Sequence, residues 1–170
     1  MTYFLVAVVL YIFIVFFLAR LVIPFMGFGM YAIPTQLPEP MLAKVRELES
    51  QSINAEDFVK KVYNFVQSRW HAERLKTIIM LPLAFRKDLS GIWARPGYAH
   101  CTTINYVLVS MLAASKFFEP KDLKVQQVFF NGVSHQYVKI NLGNKILDVD
   151  PSLTYVRGVP FGQRTSKWFG

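Results

Sequence analysis

Residues 134–151 read SHQYVKINLGNKILDVDP, and the architecture turns on this stretch. Gln136, Val138, Ile140 and Leu142 alternate with His135, Tyr137, Lys139 and Asn141, which is the two-residue period of a strand. Gly143 and Asn144 form a two-residue hairpin signal with glycine first, suited to a type II′ turn. Lys145 to Asp150 alternates again, with Leu147 and Val149 on the apolar face and Asp148 and Asp150 on the other. Pro151 ends the strand. With Gly143 and Asn144 as the turn, Lys145 faces Leu142, Lys139 faces Asp148, and Tyr137 faces Asp150. His135 then lies diagonal to Asp150, with Cβ atoms ~7–8 Å apart or less, within side-chain reach.

Working outward, Leu123 to Asn131 is rich in Val and Phe and reads as a further strand of an antiparallel meander. Thr102 to Ser115 contains no Gly or Pro. Ile104, Val107, Leu108, Met111 and Leu112 recur there at helical spacing, and the run is apolar on most sides. This predicts a buried helix with Cys101 at its start. Earlier, Asn54 is a helix N-cap with Asp57 at the third helical position. Ala55, Phe58, Val59, Val62, Tyr63, Phe65, Val66 and Trp70 then form the stripe of an amphipathic helix, a core face. Met41 to Glu49 is a short helical candidate. Residues 71–97 are less regular: Pro82 interrupts an apolar run, and Leu89 to Gly97 reads as a loop. Val156 to Gly170 is basic with scattered aromatics and reads as either a further strand or a tail. Helices precede an antiparallel meander, so the fold class is α+β.

The chain has 170 residues, 53% of them hydrophobic and 18% charged. That is too apolar for a disordered chain and too lightly charged for an average soluble domain. The excess is concentrated at the start: Arg20 is the sole charged residue among the first 33. Multidomain, collagen-like, disulfide-rich and multi-pass channel classes are excluded. The single cysteine, Cys101, allows neither an intrachain disulfide nor a thiolate cluster for structural zinc. Tyr3 to about Ile23 supplies the ~20 apolar residues that a bilayer core requires of a helix. Arg20 can snorkel near its end, and Pro24, Gly27 and Gly29 then break the helix. A cleaved signal peptide is the rival reading, but there is no Lys/Arg n-region and the apolar run is long. The expected organisation is a transmembrane anchor over 1–25, a juxtamembrane linker over 26–40 and a folded domain over 41–170. Arg20 follows the span, so the positive-inside rule points to a cytoplasmic domain. The net charge of +8 fits a neighbouring anionic membrane. No nucleic-acid motif accompanies it, and no nucleic-acid partner is expected.

A cysteine therefore opens a helix, a histidine lies on a later strand, and an aspartate lies on the next strand on the same face. An Asp150 carboxylate can accept a proton from one ring nitrogen of His135, leaving the other to face Cys101. A protonated thiol is a poor nucleophile, and both a helix N-terminus and an adjacent imidazolium favour the thiolate. The carboxylate orients the ring and supports its charge. The backbone N–H of Cys101, in the first turn of its helix, can point at a developing oxyanion. Asp148 shares the face of Asp150 and is the alternative orienter. His71 and His100 read as structural or solvated, without paired metal-ligand spacing.

Arg95-Pro-Gly97-Tyr-Ala-His-Cys101, His135-Gln-Tyr137 and Leu147-Asp-Val-Asp150-Pro151-Ser152 occur in this order. Together they resemble the transglutaminase-like superfamily, within the papain-like cysteine peptidase fold. Its pattern is a Gly-x-Cys helix start, a strand beginning His-x-aromatic and a strand ending Asp-Pro. The likeness covers roughly residues 90–152. It implies a papain-like core, helices packed on an antiparallel sheet, here behind one transmembrane helix. It also implies Cys101 as nucleophile, His135 as base and then acid, Asp150 as orienter, and no metal or organic cofactor. The implied reaction is hydrolysis or acyl transfer on an amide of a peptide or protein, through a Cys101 thioester. Three features depart from the pattern. Thr102 stands where transglutaminases usually carry Trp, Gly97 lies four residues before the cysteine instead of about two, and the second oxyanion donor is unplaced among Trp93, Tyr98 and His100. A catalytically inactive binding module of the same fold, tethered to the membrane, is the alternative.

Overall fold

The computed structural model describes residues 2–14, 33–34, 36–73, 76, 79–80, 83, 86–130 and 133–163. Its architecture is α+β: helices packed on a small antiparallel sheet.

Helix α2 (Glu39–Ser50) opens with Pro40, tolerated there because first-turn N–H groups have no intrahelical acceptor. Helix α3 (Ala55–Arg69) starts where Asn54 predicted it. The Asn54 side chain accepts from the Asp57 N–H at 2.9 Å, and the Asp57 carboxylate accepts from the Ile53 N–H at 3.1 Å. Its apolar stripe, Phe58, Val59, Val62, Tyr63 and Val66, is buried. The packed domain reaches back into the stretch expected to be linker: Ile33 and Leu37 lie against the core, and α2 begins at Glu39.

Strand β1 (Trp70–His71) pairs in parallel with β2 (Gly97–Tyr98), tying the end of α3 to the segment before Cys101. Gly97 sits at φ +115°, a backbone region that side-chain-bearing residues rarely adopt. The expectation of a loop over 89–97 is corrected. Helix α4 (Leu89–Ala94) occupies most of it, because Asp88 caps the helix by accepting from the Gly91 N–H at 3.0 Å. Gly91, which reads as a breaker in the sequence, leaves room for the Asp88 and Arg86 side chains, which a Cβ would displace. Pro96 falls beyond the helix end.

Helix α5 (Cys101–Ala113) is the central element, with every residue from Thr102 to Leu112 buried. A 3₁₀ turn (Pro120–Asp122) leads into β3 (Leu123–Phe130), β4 (Val133–Asn141) and β5 (Ile146–Val149), a three-stranded antiparallel sheet in that order. The β4–β5 register pairs Lys139 with Asp148, as the alternation requires. The Leu142 N–H donates to the Lys145 carbonyl at 2.9 Å across the turn, where Gly143 takes φ +84°. Val138, Ile140, Leu147 and Val149 close the core from the sheet side.

Pro151 ends β5 as expected, but a helix begins at once. Helix α6 (Pro151–Arg157) has Asp150 as its N-cap and Gly158, at φ +68°, as its left-handed C-cap. Gly162 then forms an isolated antiparallel bridge to Asp148. The remainder of the stretch read as strand or tail, 164–170, lies outside the described residues.

Helix α1 (Thr2–Phe13) buries none of its side chains. Among the described residues no helix is long and apolar enough to cross a membrane. The expected span of 3–23 runs past Ile14 into residues outside the description.

Candidate active site

Cys101 is the first residue of α5, partly exposed, at the positive end of the helix axis. His135 enters from β4 and Asp150 from the end of β5. The His135 Nε2 lies 2.7 Å from Asp150 Oδ2. The Cys101 side chain adjoins the same ring and adds to the stabilisation of its charged form; with Nε2 turned to Asp150, Nδ1 is the ring nitrogen that remains for the sulfur. Three residues separated by up to 49 positions thus form one chain of contacts from sulfur to imidazole to carboxylate.

Burial is the largest single influence on the His135 ring and works against its charge. The hydrogen bonds to Asp150 and Cys101, with the attraction of both groups, outweigh it and push the ring up to about 10. His135 therefore holds its proton at neutral pH. A thiolate is the form of a cysteine that such a ring stabilises.

Asp150 is held from several sides. Its Oδ1 accepts from the Ser152 hydroxyl at 3.0 Å and from the Leu153 N–H at 3.1 Å, while its backbone carbonyl accepts from the Thr154 hydroxyl at 3.1 Å. One carboxylate oxygen caps α6 and the other faces His135. Helix α3 braces this turn: Gln67 Nε2 donates to the Pro151 carbonyl at 3.1 Å and to the Tyr63 hydroxyl at 3.2 Å. That hydroxyl is also hydrogen-bonded to Thr154. Burial raises the Tyr63 phenol above its ordinary pKa, and the Asp150 charge adds to the rise. The carboxylate is held by the first turn of α6, and α3 braces that turn, so its direction toward the ring does not depend on the ring alone.

The structure distinguishes the two aspartates. Asp148, a candidate orienter by face, lies 3.9 Å from Lys139 Nζ across the hairpin, while Asp150 takes the imidazole. The oxyanion candidates fall in different surroundings. Trp93 packs against Phe65 and Trp70, with the Arg69 guanidinium 4.6 Å from its ring centre. Its carbonyl accepts from Arg69 at 2.7 Å. Tyr98 stands edge-on to His100, with ring centres 5.4 Å apart. His100 is buried beside Cys101 as the residue preceding α5, its Nε2 3.4 Å from the Met80 carbonyl. Burial pushes it down to about 4, so it is neutral at physiological pH. His71 pairs with Glu73 at 2.8 Å near the surface.

Four polar residues around the site were not singled out in the sequence: Tyr63, Gln67, Asn105 and Ser152. Ser152 carries a readable signal, since Asp-Pro-Ser is a helix-capping start. Asn105 carries another, as a lone amide in an apolar helical run four residues after Cys101. Tyr63 and Gln67 carry none, because they sit where an ordinary amphipathic helix would place them.

No protein-family model, no curated protein and no solved structure matches this chain.

Proposed function

We propose that the chain is a membrane-anchored cysteine enzyme of the transglutaminase-like type, acting on amide bonds of peptides or proteins. The observation that carries this reading is the buried His135–Asp150 pair at 2.7 Å, with Cys101, the first residue of α5, adjoining the same ring. In the forward step the Cys101 sulfur attacks the carbonyl carbon. Negative charge moves to the carbonyl oxygen, which the first-turn N–H groups of α5 stabilise. His135 gives its proton to the leaving nitrogen as the C–N bond breaks, and a Cys101 thioester remains. Water or an amine then loses a proton to His135 and attacks the thioester, which releases the acyl group and restores the sulfur.

The test is acylation by p-nitrophenyl acetate. Wild type is expected to release p-nitrophenolate and to carry an acetyl group on Cys101, read by mass spectrometry. Cys101→Ala is expected to lose both while keeping its circular dichroism spectrum. Equal release by the two proteins would leave a non-catalytic peptide-binding module as the better description.

Anchoring is supported by α1. Tyr3 is 91% exposed and Phe4 75%, and none of the residues of this helix is buried. An apolar surface of this kind is a membrane or partner contact. The full chain is expected to pellet with membranes and to resist carbonate extraction, whereas a chain lacking residues 1–25 partitions into the supernatant. Full-length protein recovered in the supernatant would count against the anchor.

A further inference from the structure

Two consecutive residues of β4, His135 and Gln136, meet side chains of α5, and only one of these contacts involves a reacting group. Asn105 lies one helical turn beyond Cys101, on the same face of α5. It is fully buried, and its Nδ2 donates to the Gln136 carbonyl at 2.9 Å. Gln136 directly follows His135. Cys101 to His135 and Asn105 to Gln136 are therefore two rungs between the same helix and strand. The β4–β5 ladder ends at the Val138–Val149 pair, where the chain leaves β5 to let Asp150 cap α6. From Tyr137 back to His135, β4 is paired with β3 but no longer with β5, and the Asn105 amide adds a contact from α5 there.

Asn105 is also costly where it stands. Its Oδ1 is buried without a hydrogen-bond partner among the described residues. Ile104, Val107, Leu108, Met111 and Leu112 surround it in the sequence and are all buried. An apolar side chain at 105 would avoid that unsatisfied oxygen, and a buried polar exception of this kind calls for a reason. We infer that Asn105 is a positioning residue for the proposed reaction, holding the Gln136 backbone so that the His135 ring stays in reach of both Cys101 and Asp150. The claim rests on the enzyme reading above. Asn105 itself exchanges no proton and touches no substrate.

Without the amide, the His135 end of β4 keeps its β3 pairing but loses this tie to α5, and a misplacement of about 1 Å between reacting groups costs roughly 10²-fold in rate. Asn105→Ala removes the donor, and Asn105→Val removes it while filling the volume. Both are expected to lower kcat for p-nitrophenyl acetate by roughly 10²-fold, with KM nearly unchanged, because the binding surface is retained. Leu112→Ala serves as the control: it opens a cavity in the same helix, two turns farther on, and touches neither rung. It is expected to lower the unfolding midpoint and to keep wild-type kcat below it. Wild-type kcat in folded Asn105→Val, or an equal fall of kcat in Leu112→Ala, would overturn the inference. If wild type and Cys101→Ala behave alike, the enzyme reading itself fails, which is a separate result from an active wild type with active Asn105 variants.

Discussion

Glutamine in place of His135 is expected to slow steady-state turnover of an acyl substrate by roughly 10⁴- to 10⁶-fold, the scale on which one member of a nucleophile–base–orienter unit fails. The loss is expected to depend on the leaving group. An amide nitrogen must be protonated as it departs, so both acylation and deacylation need the ring. A p-nitrophenolate departs without a proton, so the variant can still acylate slowly and then stall as the thioester, which has no base to activate water. Stopped-flow absorbance should therefore record a slow release of about one equivalent of p-nitrophenolate without a following steady state. Unimpaired turnover in a folded His135→Gln protein would remove the imidazole from the mechanism.

Alanine at Asp150 is expected to be the most destabilising single change in the site, by ~3–5 kcal/mol, because it leaves one member of a buried ion pair without its partner. It also removes the cap of α6, a loss of about 1 kcal/mol in ordinary settings. Asparagine at the same position separates the two effects, since its side-chain oxygen can still cap the helix while no charge faces His135. The pH dependence follows from the sign of the shift. The ring titrates near 6.5 when unfolded and at about 10 in the native pair. A raised folded-state pKa contributes stability that is complete below the unfolded value and is lost as pH rises through the folded one. The advantage of wild type over Asp150→Asn should thus be largest at pH 6 and shrink steadily toward pH 10. Urea unfolding of both proteins across that range measures it. A difference that stays flat with pH would mean that His135 is not a buried cation.

Local regularities carried much of the fold. The period-two alternation of residues 134–142 and 145–150, with glycine opening the turn, was enough to place Lys139 opposite Asp148. The run from Thr102 to Ser115, without glycine or proline and apolar on most sides, announced the central helix. Asn54 marked the start of α3. Two elements were hidden by ambiguous punctuation. Gly91 and Pro96 suggested a loop over 89–97, yet an Asp88 cap and a proline beyond the last turn make them compatible with α4. Pro151 marks the end of a strand and is also the first residue of α6; proline suits both roles, and only the neighbouring chain decides between them.

For the site, chemistry could nominate residues but not distances. The residue types Cys101, His135 and Asp150, their order, and their places at the ends of a helix and two strands were legible from the chain, because each depends on periodicity within about ten residues. That the imidazole meets Asp150 while Asp148 lies beside Lys139 depends on where β5 stops and α6 turns away, braced by Gln67 and Tyr63 from α3. The Asn105 contact to the Gln136 backbone spans 31 residues, and a two-residue parallel pair such as β1–β2 has no period to detect. Hydrophobic alternation is written locally, since each side chain sees a core or a solvent face. Hydrogen-bond direction and the charge of a buried ring arise from groups that only the folded chain brings within 3 Å.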